Sequence, residues 1–255
     1  MSVIALQYDI AWEDRERNFD TVRRLLTKST VKPGSLIVLP EMFSTGLSMD
    51  VEKIAEKKDS SVEKFLSSLA WQYESHVIGG LVSRDGSSGM GRNEVAVYDP
   101  SGRPVALYQK NHTFSYNDES SHYQAGEGLA MFRWRDFTVC PVICYDLRFP
   151  ELFRQGVRRG ADLFTVSANW PDPRLRHWKT LLEARAIENL AHVVGVNRVG
   201  CDPRFNYPGG SRILNHCGVV LAEAGDSEAV LACELDHAEM LSWRKEFPAL
   251  EDMKP

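Results

Sequence analysis

Apolar residues recur along this chain with two different periods. Short continuous or alternating runs mark strands at Val3–Tyr8, Ser35–Leu39, Val77–Val82, Glu94–Tyr98, Val105–Gln109, Phe137–Ile143, Leu163–Ser167 and Val193–Asn197. Stretches with apolar positions three and four apart mark helices. These are Arg15–Lys28, with Val22, Leu25 and Leu26 on one face, then Val62–Tyr73, and a long helix near Trp178–Leu190. Pro40 stops the second strand, and Asp99-Pro100-Ser101-Gly102 reads as a hairpin turn between two strands. Val219–Ala222 and Ala229–Glu234 read as a further strand pair. Ser83–Arg92 is rich in Gly and Ser but lacks the Gly-Lys-Ser/Thr ending of a phosphate loop, so it reads as a connection between strands. Strands and helices alternate in both halves without a repeat, a Pro-rich linker or a low-complexity tract. The pattern predicts one α/β domain over residues 1–255, with mixed sheets.

Composition narrows the classes. A 255-residue chain with 43% hydrophobic and 25% charged residues can bury a full core. The net charge is -5 and no basic block stands out, which argues against nucleic acid as a partner. No apolar run is long enough to cross a bilayer, so no membrane partner is expected. The first residues, Met1 to Gln7, show neither a basic segment nor a long apolar core, so no signal peptide is expected. Five cysteines, at positions 140, 144, 201, 217 and 233, follow no disulfide framework. Cys140 and Cys144 on one strand would lie about 13 Å apart, at about 3.3 Å per residue, too far to bridge. Reduced thiols in a cytoplasmic compartment are the simpler reading.

The candidate chemistry sits where strands end. The run through Ile143 stops at Cys144, polar residues follow at once, and a helix start is signalled near Pro150. A thiol at such a strand-to-helix turn can be exposed, with backbone N–H groups beyond it aimed at a developing negative charge. The alternative is a small buried apolar residue. Leu36-Ile37-Val38-Leu39-Pro40-Glu41 likewise runs a buried strand into a charge, and Lys110 ends a hairpin strand. Taken singly, either is readable as a solvated terminus. Together the three make chemical sense. A thiol needs a base or a positive neighbour to react at neutral pH. A carboxylate can take its proton but opposes the thiolate, and a lysine beside both offsets that repulsion and can hold an oxyanion.

Pro40-Glu41, Lys110 and Cys144 in this order, with Cys-Tyr-Asp-Leu-Arg-Phe-Pro-Glu around the cysteine, resemble the nitrilase (carbon–nitrogen hydrolase) superfamily. The similarity runs over nearly the whole chain and takes in Asn169-Trp170-Pro171, Glu183 to Asn189, and Asn197-Arg198-Val199-Gly200. Glu119 matches the second glutamate that members carry near the lysine. Within the superfamily the resemblance is greatest to the omega-amidases, which release ammonia from 2-oxoglutaramate and 2-oxosuccinamate. It implies a four-layer α-β-β-α sandwich, a homodimer, a small-molecule amide substrate, and neither metal nor organic cofactor. It implies Cys144 as nucleophile through a thioester, Glu41 as general base, Lys110 with the Tyr145 N–H as oxyanion holder, and Glu119 as a supporting carboxylate. Arg148 would grip a substrate carboxylate, with pairing to Asp146 or Glu151 as its structural alternative. Phe43, Trp170 and Tyr116 are the expected apolar walls. An amidase for deaminated glutathione, a carbamoylase and a true nitrilase remain open within the family. A cysteine–histidine hydrolase would enlist His112, but Glu41 and Lys110 already supply both roles, so His112 is expected to be structural or pocket-lining. No Cys or His pair has zinc-site spacing.

Overall fold

The computed structural model describes residues 1–56 and 60–254. The chain lays down β1 (Ser2–Gln7), α1 (Arg15–Thr27), β2 (Leu36–Val38), α2 (Val51–Ile54), α3 (Ser61–Gln72), β3 (His76–Arg84), β4 (Gly91–Tyr98) and β5 (Pro104–Gln109). A 3₁₀ turn at Ser115–Asn117 and the short α4 (Glu119–His122) lead to β6 (Phe132–Trp134) and β7 (Phe137–Ile143). A second 3₁₀ turn, Cys144–Arg148, is followed by α5 (Pro150–Arg158), β8 (Leu163–Ala168), α6 (Leu175–Asn189) and β9 (His192–Asn197). The last part adds β10 (Val199–Cys201), β11 (Asn206–Pro208), β12 (Arg212–Leu214), β13 (Val220–Glu223), β14 (Ala229–Glu234) and α7 (His237–Glu246).

Two six-stranded sheets result, ordered β14-β1-β2-β3-β4-β5 and β13-β12-β9-β8-β7-β6. Side-chain alternation decides the layering. In the first sheet Val3, Ala5, Leu36, Val38, Val95 and Val97 face the second sheet, where they share a core with Val139, Ile143, Val194 and Val196. The intervening positions Ile4, Leu6, Ile37, Leu39 and Ala96 face away and pack on Phe19, Val22 and Leu26 of α1 and Phe65, Leu66 and Leu69 of α3. On the far side, Phe153 of α5 and Trp178, Leu182 and Ala186 of α6 join the core of the second sheet. The order is helix, sheet, sheet, helix, the four-layer sandwich expected. No helix among the described residues is long and apolar enough to cross a membrane.

The predicted elements recur with ends shifted by a few residues, and β4 and β5 form the predicted hairpin, with Ala96 opposite Leu107. One expectation needs correction. The last two predicted strands do not pair with each other. β13 closes the second sheet against β12, while β14 pairs antiparallel with β1, Ala5 facing Leu231. The chain crosses from one sheet to the other between them. Buried Gln7 holds the crossing, its Nε2 donating to the carbonyls of Gly225 and Ser227, each at 2.8 Å.

Candidate active site

Four strand ends and one short helix deliver the candidate residues to one edge of the sandwich. β2 ends at Val38, and the next residues carry Glu41 into the space between the sheets. Ser167 of β8 donates its hydroxyl to the Leu39 carbonyl at 2.8 Å, fastening that segment to the opposite sheet. Gly80 of β3 passes so close beneath it that a Cβ there would lie 2.4 Å from the Met42 backbone nitrogen. Lys110 follows directly on β5, its backbone N–H bonded to the Asn93 carbonyl at 2.8 Å. Glu119 is the first residue of α4.

Glu41, Lys110 and Glu119 are all essentially buried. The Lys110 ammonium lies 2.9 Å from Glu41 Oε1 and 2.8 and 3.0 Å from the two oxygens of Glu119. Burial alone would lower the lysine pKa, but the Glu119 and Glu41 carboxylates outweigh it and hold the ammonium charged well above its ordinary range. The remaining carboxylate lone pairs are used as well. Asn93 donates to Glu41 Oε1 at 2.8 Å and to Glu119 Oε1 at 3.0 Å. The Asn169 backbone N–H reaches Glu41 Oε2 at 2.9 Å, and the Phe114 N–H reaches Glu119 Oε2 at 2.6 Å. A buried charge cluster of this kind is costly unless every charge is paired, and here the lysine and both glutamates are each paired.

Cys144 begins the 3₁₀ turn after β7 with φ of 45°, a left-handed conformation that a non-glycine residue adopts at a cost of about 1–3 kcal/mol. The turn is held by Asp146, which accepts from the Ile143 N–H at 3.1 Å, the His112 N–H at 2.9 Å and the Tyr108 hydroxyl at 2.7 Å. The Cys144 thiol points toward the Asn169 carbonyl at 3.9 Å. Burial and the neighbouring Glu41 push its pKa well above the ordinary thiol value, while Lys110 pulls the other way. The free site therefore holds a thiol, and chemistry there needs a base.

A cleft opens above the cysteine. Lys110, Cys144, Tyr145, Arg148, Asn169 and Trp170 line it, together with Leu47, Phe114, Pro171, Arg174 and Phe205. Arg148 stands over the Trp170 ring, 5.0 Å from its centre, and contacts His177 Nδ1 at 3.1 Å. It forms no ion pair among the described residues, and Asp146 is engaged elsewhere. Two expected walls lie outside the cleft. Phe43 is fully buried against Phe19 and Phe65, because its side chain turns toward α1 and α3. Tyr116 is 77% exposed on the turn before α4, and its neighbour Phe114 faces the cleft in its place. His112 stacks on Phe149 at 3.6 Å and contacts Asp146 through Nδ1, so its contacts support the cysteine turn.

Sequence reasoning missed Asn93, Asp146, Arg174 and the supporting role of Asn169. Asn93 left a readable signal, since it shares the inner face of β4 with Val95 and Val97 and is polar where they are apolar. Arg174 left none, because one arginine after a Pro-rich turn looks like any surface residue.

An α-β-β-α sandwich with a glutamate, a lysine and a cysteine gathered at one sheet edge defines the nitrilase-type hydrolases. The carbon–nitrogen hydrolase family model matches residues 3–245, and the chain belongs to that family. It is similar to a 2-oxoglutaramate amidase of Bacillus subtilis (strain 168), with 32% identity over 254 residues, 99% of this chain and 97% of that protein. An omega-amidase of Escherichia coli (strain K12) is 36% identical over 254 residues, 99% of this chain and 96% of that one. Among solved structures, a carbon–nitrogen hydrolase superfamily protein from Xanthomonas campestris superposes with a TM-score of 0.93 at 32% identity, covering 100% of this chain and 97% of that one. Nit3 of Saccharomyces cerevisiae, a nitrilase-superfamily member, gives 0.87 at 26% identity, covering 97% and 94%. The chain is thus a hydrolase acting on carbon–nitrogen bonds of amides.

Proposed function

We propose that the protein is an omega-amidase that hydrolyses the terminal amide of 2-oxoglutaramate and 2-oxosuccinamate through a thioester on Cys144. The observation that carries this is the Lys110 ammonium clamped between Glu41 and Glu119 beside a cleft that also presents Cys144 and Arg148, which has no carboxylate partner among the described residues. The similarity to relatives named as omega-amidases supports the substrate class.

Glu41 takes the thiol proton as Cys144 Sγ attacks the amide carbon. The carbonyl oxygen becomes an oxyanion facing Lys110 and the Tyr145 N–H. Glu41 returns the proton to the amide nitrogen, the C–N bond breaks, and ammonia leaves a thioester. Water, deprotonated by Glu41, then attacks the thioester, the C–S bond breaks, the dicarboxylic acid is released, and Glu41 returns the proton to Cys144. Glu119 keeps Lys110 charged and in place. Arg148 binds the substrate carboxylate, and Trp170 and Phe114 form the apolar walls. The same reading makes the protein a cytoplasmic homodimer.

Ammonia release across a panel of amides tests this. 2-Oxoglutaramate should be the preferred substrate, and Glu41→Gln should lower kcat by about 10²-fold or more. Arg148→Met should raise KM sharply for 2-oxoglutaramate and much less for an uncharged amide of similar size. A folded Glu41→Gln protein with near-normal kcat would refute the base assignment.

A further inference from the structure

Two guanidinium groups line the cleft, and the reading above uses only Arg148. Arg174 ends the 3₁₀ turn Asp172–Arg174, immediately before α6. Its guanidinium carbon lies 5.3 Å from the centre of the Phe114 ring and 5.5 Å from that of Tyr116. Its Nη2 is buried and has no hydrogen-bond partner among the described residues. Among the described residues it forms no ion pair, and neither does Arg148. Trp170 links the two arginines. Its ring carries Arg148, and its indole N–H donates to the Arg174 carbonyl at 2.8 Å. The backbone of Arg174 is therefore fixed independently of its side chain.

Folded proteins seldom leave a guanidinium N–H buried and unpaired, because its lost hydration is not replaced. Two cations sharing a cleft also repel. Burial, with Arg174 acting in the same direction, lowers the Arg148 pKa below its ordinary value. An anion between the two arginines would relieve both costs.

We propose that Arg174 is a second substrate-binding residue that, with Arg148, clamps the far carboxylate of the substrate from two sides. This rests on the amidase reading and sharpens it. A carboxylate offers about four lone-pair directions, enough for two forked donors, and the adjacent 2-oxo oxygen extends the same acceptor plane. An uncharged amide would leave the Arg174 N–H unpaired and the repulsion between the two cations unrelieved. The clamp thus selects anionic amides by penalising neutral ones as well as by gripping the right ones.

The competing role is structural. Arg174 would only stack on Phe114 and Tyr116 to steady the turn before α4. Two measurements on the full chain separate these. The first compares kcat and KM of Arg174→Met and Arg174→Lys on 2-oxoglutaramate and on pentanamide, an uncharged amide of equal length. The second titrates 2-oxoglutarate calorimetrically into Cys144→Ala, with Arg174 intact or replaced by Met. The clamp predicts that Arg174→Met raises KM for 2-oxoglutaramate by about 10-fold or more and cuts the preference over pentanamide as much, with partial recovery in Arg174→Lys. It predicts a comparable weakening of 2-oxoglutarate binding. Equal losses on both amides with unchanged 2-oxoglutarate affinity would overturn it. Arginine-dependent 2-oxoglutarate binding in a protein that releases ammonia from neither amide would uphold the clamp and refute the substrate reading instead.

Discussion

At the scale of the residue, the site works by opposing influences on one sulfur. Burial and the carboxylates of Glu41 and Glu119 keep Cys144 protonated, and the Lys110 ammonium opposes them by favouring the thiolate. The sign of each charge deletion follows. Removing Lys110 must raise the thiol pKa further, and removing Glu119 must lower it. Alkylation of Cys144 by iodoacetamide, followed by mass spectrometry across a pH series, reads this directly. Lys110→Met should move the onset of alkylation to higher pH than in the parent, and Glu119→Gln to lower pH. A shift of Lys110→Met toward lower pH would contradict the geometry. Glu41, Lys110 and Cys144 were legible in the sequence because each is a reactive group placed where an apolar run stops. Phe43 and Tyr116 were misread for the opposite reason. An aromatic residue near a site carries no mark of which way its ring turns, and packing against α1 decided for Phe43 while exposure decided for Tyr116.

Among the elements, the strand ends matter more than the strands. Glu41 is held by a neighbouring backbone, since Gly80 leaves room for the Glu41–Met42 segment. In Gly80→Ala the new Cβ would meet backbone, which cannot rotate away. In Gly79→Ala it would meet the Leu66 methyl groups, which belong to a side chain. Gly80→Ala should therefore lower kcat by about 10-fold or more by displacing Glu41, in line with the cost of misplacing a catalytic group by an ångström. Gly79→Ala should lose stability without a matching loss of kcat. Steady-state kinetics and thermal melts of the two variants check this, and an equal kcat in both would show that the close approach does not position Glu41. The pairing of β13 and β14 was misjudged at this scale. Alternation identifies a strand but not its partner, and a short connection between two strands ordinarily means a hairpin. Here Gln7 takes the carbonyls of the connection and carries it from one sheet to the other.

Over the whole molecule, the apolar runs of β1 and β2, continuous on both faces, marked an α/β domain with covered sheets, while the four-layer order came from the family resemblance. The polar joints between layers were not legible, since their partners are far apart in sequence. One such joint bears on stability. His192 packs edge-on against His216 and Phe137 beneath α7, with His237 and Asp236 close by. Burial, reinforced by His216, lowers its pKa to about 4. In the unfolded chain the same imidazole takes up its proton near pH 6.5. Its depressed value therefore makes no demand above about pH 6.5, and stability is lost as pH falls from there toward about 4. The loss is on the order of 3 kcal/mol. Urea unfolding over this range should show stability falling with acidity, and His192→Gln should flatten the slope. An unchanged slope would mean that other groups, such as the nearby His216, carry the acid sensitivity.

In the proposed reaction the acyl group is transferred to Cys144 before water reaches it. Rapid quenching of the enzyme with 2-oxoglutaramate, followed by intact-mass analysis and peptide mapping, tests this most directly. A transient adduct equal to the substrate less ammonia should be found on the peptide that carries Cys144, and Cys144→Ala should show neither adduct nor ammonia release. Ammonia release by Cys144→Ala at a rate near that of the parent enzyme would contradict the transfer to Cys144.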